Sequence, residues 1–198
     1  AHGCGSTGWC LGVYQAHSWL LGLFDPRAQD DVYGSNHDAI VSAVIAPRGQ
    51  ARKVPGGFKL SGFWPFCSGC HHSDWLLLGE MVLADDDDIL DSGVMAVPTR
   101  EATIQDDWYT GGLAGTGSNS IAVKDLFVPE HRFLSVPAAI EGKTPGMDLH
   151  STNLYRSAAV PVLALRGGTG EAMTEVVFAD GLSISGSLRR SGAPVSGA

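Results

Sequence analysis

Residues 8–24, "GWCLGVYQAHSWLLGLF", are apolar on every side and almost free of charge. Such a run predicts a buried helix, N-capped by Ser6 or Thr7 and tolerating Gly8, Gly12 and Gly22. The next stretch, "DPRAQDDVYG", predicts a turn and a short helix that ends at Gly34. Beyond residue 38 the period changes. Six short runs rich in Val, Ile and aromatics follow: "AIVSAVIAP", "GFKLSGFWPF", "DWLLLGEMVL", "GVMAVP", "TIQDDWYT" and "NSIAVKDLFVP". Gly, Pro and Asp clusters separate them, so they predict strands of an antiparallel β-barrel or sandwich. "VPGGF" at 54–58 predicts a hairpin turn. Residues 137–148 form a Gly- and Pro-containing linker. Residues 151–178 have a helical flavour interrupted by Pro161 and Gly167–Gly168. Residues 183–198 hold no sustained apolar period.

Composition narrows the functional classes. The chain has 198 residues, 44% hydrophobic and 17% charged, which suits a globular fold with an ample core. A formal net charge of −8 leaves no basic stripe to displace counterions from a phosphate backbone, so no nucleic-acid partner is expected. No apolar run is long enough for a membrane span. The N-terminus lacks a basic leader region and an initiator Met. It reads as a chain that begins inside a longer protein, and its four cysteines as reduced thiols of a cytoplasmic one. The expected organisation is the end of a helical domain (1–37), a central β domain (38–135), and a linker with the start of a further helical bundle (136–198).

"WPFCSGCHHSDW" at 64–75 carries the densest chemistry. Cys67, Cys70 and His71 spell C-x-x-C-H, a haem-attachment pattern, but haem attachment needs an oxidising compartment and a helical setting. Zinc would find three ligands in Cys67, Cys70 and His71 or His72, with no second pair at suitable spacing. Two thiols packed at a strand end is the preferred reading, and no metal is assigned. Four consecutive aspartates at 85–88 lack the alternating spacing of a calcium loop and are read as a solvated turn. "GTGSN" at 115–119 lacks the Lys and the strand-to-helix context of a phosphate loop; a tight turn before a strand is its alternative reading.

"GFKLSGFWPFCSGCHHSDWLLLG" resembles the flavin-contacting strands of the acyl-CoA dehydrogenase fold. It is most similar to the flavin-dependent monooxygenases on that fold, the oxygenase components of two-component aromatic hydroxylases. "GCGSTGWCLGVYQAHSWLLGLF" resembles the helix leading into their β domain, "IVSAVIAPRGQARKVPGGFKLSG" its first hairpin, and "DDWYTGGLAGTGSNSIAVKDLFVPEHR" its closing segment. The fold so implied is α+β, a central antiparallel β-barrel flanked by helices.

The resemblance implies a reaction and its parts. A separate flavin reductase supplies reduced FMN or FAD, which forms a C4a-hydroperoxide with O₂ and passes one oxygen to a phenolic substrate. The protein must hold the flavin, exclude the water that would collapse the adduct to H₂O₂, and activate the phenol. By resemblance Ser68 lies beside the flavin N5, with Trp64, Pro65 and Phe66 as the wall against the ring system. Read without the family, those aromatics are barrel core. His17 and Ser42 match residues that bind the phenolic oxygen, His17 as a near-neutral base. A lone His on an apolar helix is otherwise a hydrogen-bonded core residue. Thr116, Gly117 and Ser118 match the flavin's phosphate side or the substrate entrance, and Ala114 stands where the family often has Arg. A homotetramer is implied for the full-length protein. Two other classes stay open: an acyl-CoA dehydrogenase, and a non-catalytic β domain that binds a metal or a partner.

Overall fold

Asp25 and Pro26 begin a helix for local reasons. The Asp25 carboxylate accepts the Arg27 backbone N–H at 2.9 Å and Pro26 occupies the first turn, so helix α2 runs Pro26–Tyr33. The computed structural model describes residues 3–150, 152–156, 173–177 and 183–187. The chain divides into two units, Ala1–Ala158 and Ala159–Ala198.

The first unit opens with helix α1, Gly5–Leu21. Its N-cap is Cys4, not Ser6 or Thr7, and no side chain caps it. The expected burial holds only at its end: Leu20 and Leu21 are buried, while Trp9 and Leu11 are 48% and 58% exposed. All-round apolarity reports what a helix can bury. Among the described residues only its last turn is fully covered.

Seven strands follow: β1 Val41–Val54, β2 Gly57–Trp64, β3 Trp75–Leu83, β4 Ile89–Pro98, β5 Thr103–Ile104, β6 Ile121–Pro129 and β7 Phe133–Ser135. They form one sheet in the order β5-β6-β2-β1-β3-β4-β7. Two expectations are corrected here. The sheet is open, because its edge strands β5 and β7 do not pair with each other, and it is mixed, because β1 and β3 run parallel. The reason is topological. β1 and β2 form the hairpin expected at Pro55–Gly56, and β6 takes the other side of β2. The chain leaving Trp64 must therefore cross to the free edge of β1. Having reversed twice, it runs in the direction of β1.

The core between these strands contains Leu60, Trp64, Leu76, Leu78, Met95, Val97 and Ile121, with Cys67 and Cys70. β3 is almost wholly buried, as its run of apolar residues requires. Glu80 is the exception in that strand: it has no exposed surface, and neither carboxylate oxygen has a hydrogen-bond partner. The four aspartates lie in the β3–β4 turn as expected, with Arg52 bonded to Asp87.

Short helices α3, Val136–Ile140, and α4, Asn153–Arg156, complete the described part of this unit. In the second unit, β8 (Met173–Val177) pairs antiparallel with β9 (Ser183–Ser187). The helical expectation for 151–178 thus meets one helical turn and one strand, the latter at "MTEVV", whose β-branched residues favour it. Pro161 and Gly167–Gly168, and most of the expected bundle, lie outside the described residues. Among the described residues no helix is long and apolar enough to cross a membrane.

Candidate active site

After Trp64 the chain cannot continue as a strand. Phe66 adopts φ +68° and Gly69 φ +73°, so residues 65–72 fold into a tight loop. Gly69 is required there on two grounds. Its φ is left-handed, and a Cβ on it would sit 1.9 Å from the Tyr14 hydroxyl oxygen. Backbone bonds tie the loop to the segment before β6: Cys67 N–H reaches Asn119 C=O at 3.0 Å and Gly69 N–H reaches Thr116 C=O at 2.7 Å.

Across this joint runs a chain of hydroxyls whose direction can be worked out. Thr116 Oγ1 donates to the Leu113 carbonyl at 2.9 Å, so it must receive the Ser118 hydroxyl at 2.7 Å. Ser118, its proton committed, receives that of Ser68 at 2.8 Å. Ser68 Oγ also accepts the Trp9 indole N–H at 3.0 Å. The Ser68 proton is therefore spent, and what its oxygen presents to a further group is a lone pair.

Helix α1 holds the loop from above. Cys10, Tyr14 and His17 recur at i, i+4 and i+7 on one stripe. The Cys10 thiol contacts Thr116 C=O at 3.8 Å, the Tyr14 hydroxyl donates to Gly69 C=O at 2.9 Å, and His17 Nδ1 meets Val41 C=O at 3.2 Å. A carbonyl only accepts, so His17 carries its proton on Nδ1 and leaves Nε2 as an acceptor. Burial pushes its pKa down to about 4, against a weaker upward pull from the Val41 carbonyl, so the imidazole is neutral near pH 7. The near-neutral base expected from the sequence is corrected accordingly. Burial also raises Tyr14 to about 12, and its proton stays on the phenol.

The other expected residues divide by exposure. Phe66 is 69% exposed and stands edge-on to Trp108, with ring centroids 6.2 Å apart at 84°. Pro65, beside it, is half-buried. Trp64 has no exposed surface. Its indole N–H bonds Gly79 C=O at 2.6 Å, and its ring lies over Gly49 and Gly62, where any Cβ would collide with it. The ring therefore supports the sheet from within the core. Ser42 is fully buried and donates to the Ser68 carbonyl at 3.0 Å, so it props the loop. Thr116 and Ser118 are 2% and 5% exposed, and their hydroxyls lie behind Ser68 in the hydroxyl chain. Gly117 takes φ +50° in the short turn that starts at Ala114, and its N–H is used by the Ala114 carbonyl. Ala114 itself is exposed and offers no anchor for an anion.

Cys67 and Cys70 are free thiols in the core, closed to haem attachment. His71 is engaged by Asn119, its Nε2 lying 3.2 Å from Oδ1. Among the described residues no group of three or more His, Cys, Asp or Glu side chains could hold a metal ion. A cavity of about 590 Å³ lies elsewhere, beside α2 and the start of β3, lined by Asp31, Asp74, Trp75, Arg100 and Arg132. None of the Ser68 constellation reaches it, so its size does not make it the site.

Trp9, Tyr14 and Asn119 are participants that pattern reading missed. The i, i+4, i+7 stripe of Cys10, Tyr14 and His17 on an otherwise apolar helix was the available signal for Tyr14. For Trp9 and Asn119 no local signal exists.

The loop and helix α1 thus set exposed aromatic rings, Phe66 and Trp9, beside an acceptor oxygen fixed in direction. No family model matches the chain. HsaA of Mycobacterium tuberculosis, a flavin-dependent monooxygenase oxygenase subunit, is 42% identical over 153 residues, which is 77% of this chain and 39% of that protein. Its crystal structure superposes with a TM-score of 0.75 over 77% of this chain and 40% of HsaA. The oxygenase component of an FADH₂-dependent resorcinol hydroxylase from a Rhizobium species is 41% identical over 173 residues, 85% of this chain and 42% of that protein. XiaF from a Streptomyces species, solved with FADH₂ and glycerol, is 34% identical with a TM-score of 0.70 over 80% of this chain and 40% of XiaF.

The fold is that of the acyl-CoA dehydrogenase-like monooxygenases. Over about two-fifths of their length, the chain is similar in sequence and fold to the oxygenase components of flavin-dependent monooxygenases.

Proposed function

We propose that the protein carrying this chain is the oxygenase component of a two-component monooxygenase. It takes reduced FMN or FAD from a separate flavin reductase and uses O₂ to hydroxylate a phenolic substrate. When bound, the reduced flavin activates O₂ and delivers one oxygen atom to the ring. The observation that carries the reading is the polarity of Ser68: its oxygen is locked as an acceptor, which suits the N5 hydrogen of a reduced flavin and not the bare N5 of an oxidised one.

Phe66 and Pro65 form the exposed surface against which a flat ring system rests, with Trp108 bracing Phe66 edge-on. Trp9 and Ser118 fix the Ser68 hydroxyl, Ser42 holds the Ser68 carbonyl and Tyr14 holds the Gly69 carbonyl. These are positioning roles. His17 is the substrate-side group. Its Nε2 accepts the phenol proton in a hydrogen bond and so raises electron density on the ring, without being charged itself.

The test uses the full-length protein with reduced flavin, oxygen and a panel of phenols. Labelled oxygen appearing in a hydroxylated product is the expected result, with Ser68→Ala giving earlier return of oxidised flavin and more H₂O₂. Bleaching of bound oxidised FAD by an acyl-CoA thioester, with no hydroxylation of any phenol, would overturn the reading in favour of a dehydrogenase.

A further inference from the structure

The C-x-x-C pair remains without a part in this reading, yet it brackets the residue at its centre. Cys67 and Cys70 are the first and fourth residues of the turn that presents Ser68 and Gly69, and the Cys70 N–H closes it onto the Cys67 carbonyl at 3.3 Å. Such a turn holds its end Cα atoms within about 7 Å, and a disulfide spans Cα separations of about 4.4–6.8 Å. Both side chains enter the same core cluster, both thiols are free, and they are hydrogen-bond neighbours.

The two sulfurs are not equivalent. Cys70 also donates to the Gly117 carbonyl at 3.5 Å, tying the loop to the Thr116–Ser118 segment. The hydrogen bond from Cys67 lowers the Cys70 pKa, backbone N–H groups of Asn119 and His71 add to this, and the same contact raises Cys67. The roles of attacking and resolving thiol are thereby divided.

We propose that Cys67 and Cys70 are a peroxide-sensitive dithiol that closes to a disulfide beneath Ser68 and switches the site off. The source of oxidant rests on the proposed function: oxygen reduced at the flavin without hydroxylation leaves as H₂O₂ beside this turn. Cys70 gives up the proton it shares with the Gly117 carbonyl and attacks one peroxide oxygen as the thiolate; an S–O bond forms, the O–O bond breaks, and the leaving hydroxide takes up that proton to become water. The Cys67 sulfur then attacks the Cys70 sulfenic acid. The S–S bond forms, the S–O bond breaks, and a second water leaves with the Cys67 proton. Two thiols lose two protons and two electrons, and one H₂O₂ takes them up to become two H₂O. Cys70 then has no S–H for Gly117, and the apposition that orients the Ser118–Ser68 hydroxyl pair loses a tie.

The experiment uses full-length protein with Cys4→Ser, which removes the exposed thiol and lies outside the site. It is treated with H₂O₂ directly, and separately with reduced flavin and O₂ without substrate, with and without catalase. Thiols are counted after denaturation and the intact mass is read. The expected result in both arms is joint loss of the Cys67 and Cys70 thiols and a mass lower by two hydrogens. Dithiothreitol should reverse this, and catalase should suppress it in the turnover arm. The oxidised protein should return oxidised flavin as early as Ser68→Ala does. Cys67→Ser should stop at a sulfenic acid trapped by dimedone; the mass of the protein retaining both thiols decides the question even if that variant does not fold. Survival of both thiols in a protein that still hydroxylates phenols overturns the switch and leaves the function standing. Closure by added H₂O₂ in a protein that hydroxylates nothing upholds the dithiol and overturns its link to flavin chemistry.

Discussion

Replacing Glu80 by Gln should make the protein more stable at neutral pH and remove part of its pH dependence. Glu80 lies on β3 opposite Gly49 of β1 and Gly93 of β4, with the Trp64 ring nearby, no exposed surface and no hydrogen-bond partner. Burial pushes its pKa well above the ordinary 4.5 against a weaker downward pull from the Met95 backbone, and the negative charge of Asp91 adds to the rise. The folded protein keeps the proton that the unfolded chain releases. Glu80 therefore costs nothing below the unfolded pKa, and its cost grows as pH rises toward the folded pKa.

His17 acts in the opposite sense. Its folded pKa, about 4, lies below the ordinary 6.5, so it costs stability as pH falls from 6.5 toward 4. The two slopes offset each other between about 4.5 and 6.5. Above 6.5 Glu80 acts alone, at up to about 1.4 kcal/mol per pH unit until its folded pKa is reached. For a chain of this size each such pH unit is a difference of about 3–6 °C in Tm. Glu80→Gln keeps the shape and an equally unpaired polar group but does not titrate. Thermal unfolding from pH 5 to 8 should show the two proteins close together at pH 5 and diverging upward, with the Gln variant the more stable. A constant offset, or a Gln variant less stable throughout, would mean that the carboxyl is ionised or has a partner in the fold.

Trp9→Phe should shorten the delay before oxidised flavin returns, by less than Ser68→Ala does, because it removes one of the two bonds that orient the hydroxyl. Trp9 is half exposed, so the same variant should change stability by less than about 1 kcal/mol, which keeps the kinetic reading separate. Gly69→Ala should cost at least about 2 kcal/mol in urea unfolding, from left-handed backbone and collision with Tyr14, and Tyr14→Phe should recover part of it; a cost below about 0.5 kcal/mol would refute that geometry. His17→Ala should lower hydroxylation, while the pH profile of the unsubstituted protein shows no inflection from His17 between pH 6 and 8, since the imidazole is neutral throughout. An inflection there that vanishes in the variant would count against that neutrality.

Much of the local structure was legible from residues a few positions apart. Asp25 and Pro26 cap α2, Pro55–Gly56 turns β1 into β2, and the apolar run of β3 announces a strand buried on both faces. The family motifs around Ser68 were equally local. Strand partners were not, because alternation says which face a residue takes and nothing about its neighbour; an antiparallel barrel and an open mixed sheet share the same pattern.

The site divides in the same way. The resemblance of local motifs singled out Ser68 and His17, and the glycine after Ser68 was legible as a point of backbone freedom. Only the tertiary structure decided that Trp64 faces the core while Phe66 faces out, that Ser42 spends its proton on the Ser68 backbone, and that Trp9 and Ser118 commit the Ser68 hydroxyl as an acceptor. Those bonds join residues separated by 59, 50 and 26 positions. A hydrogen bond depends on distance and direction in space, and over such separations these are set by how the sheet packs, not by the spacing of residues along the chain.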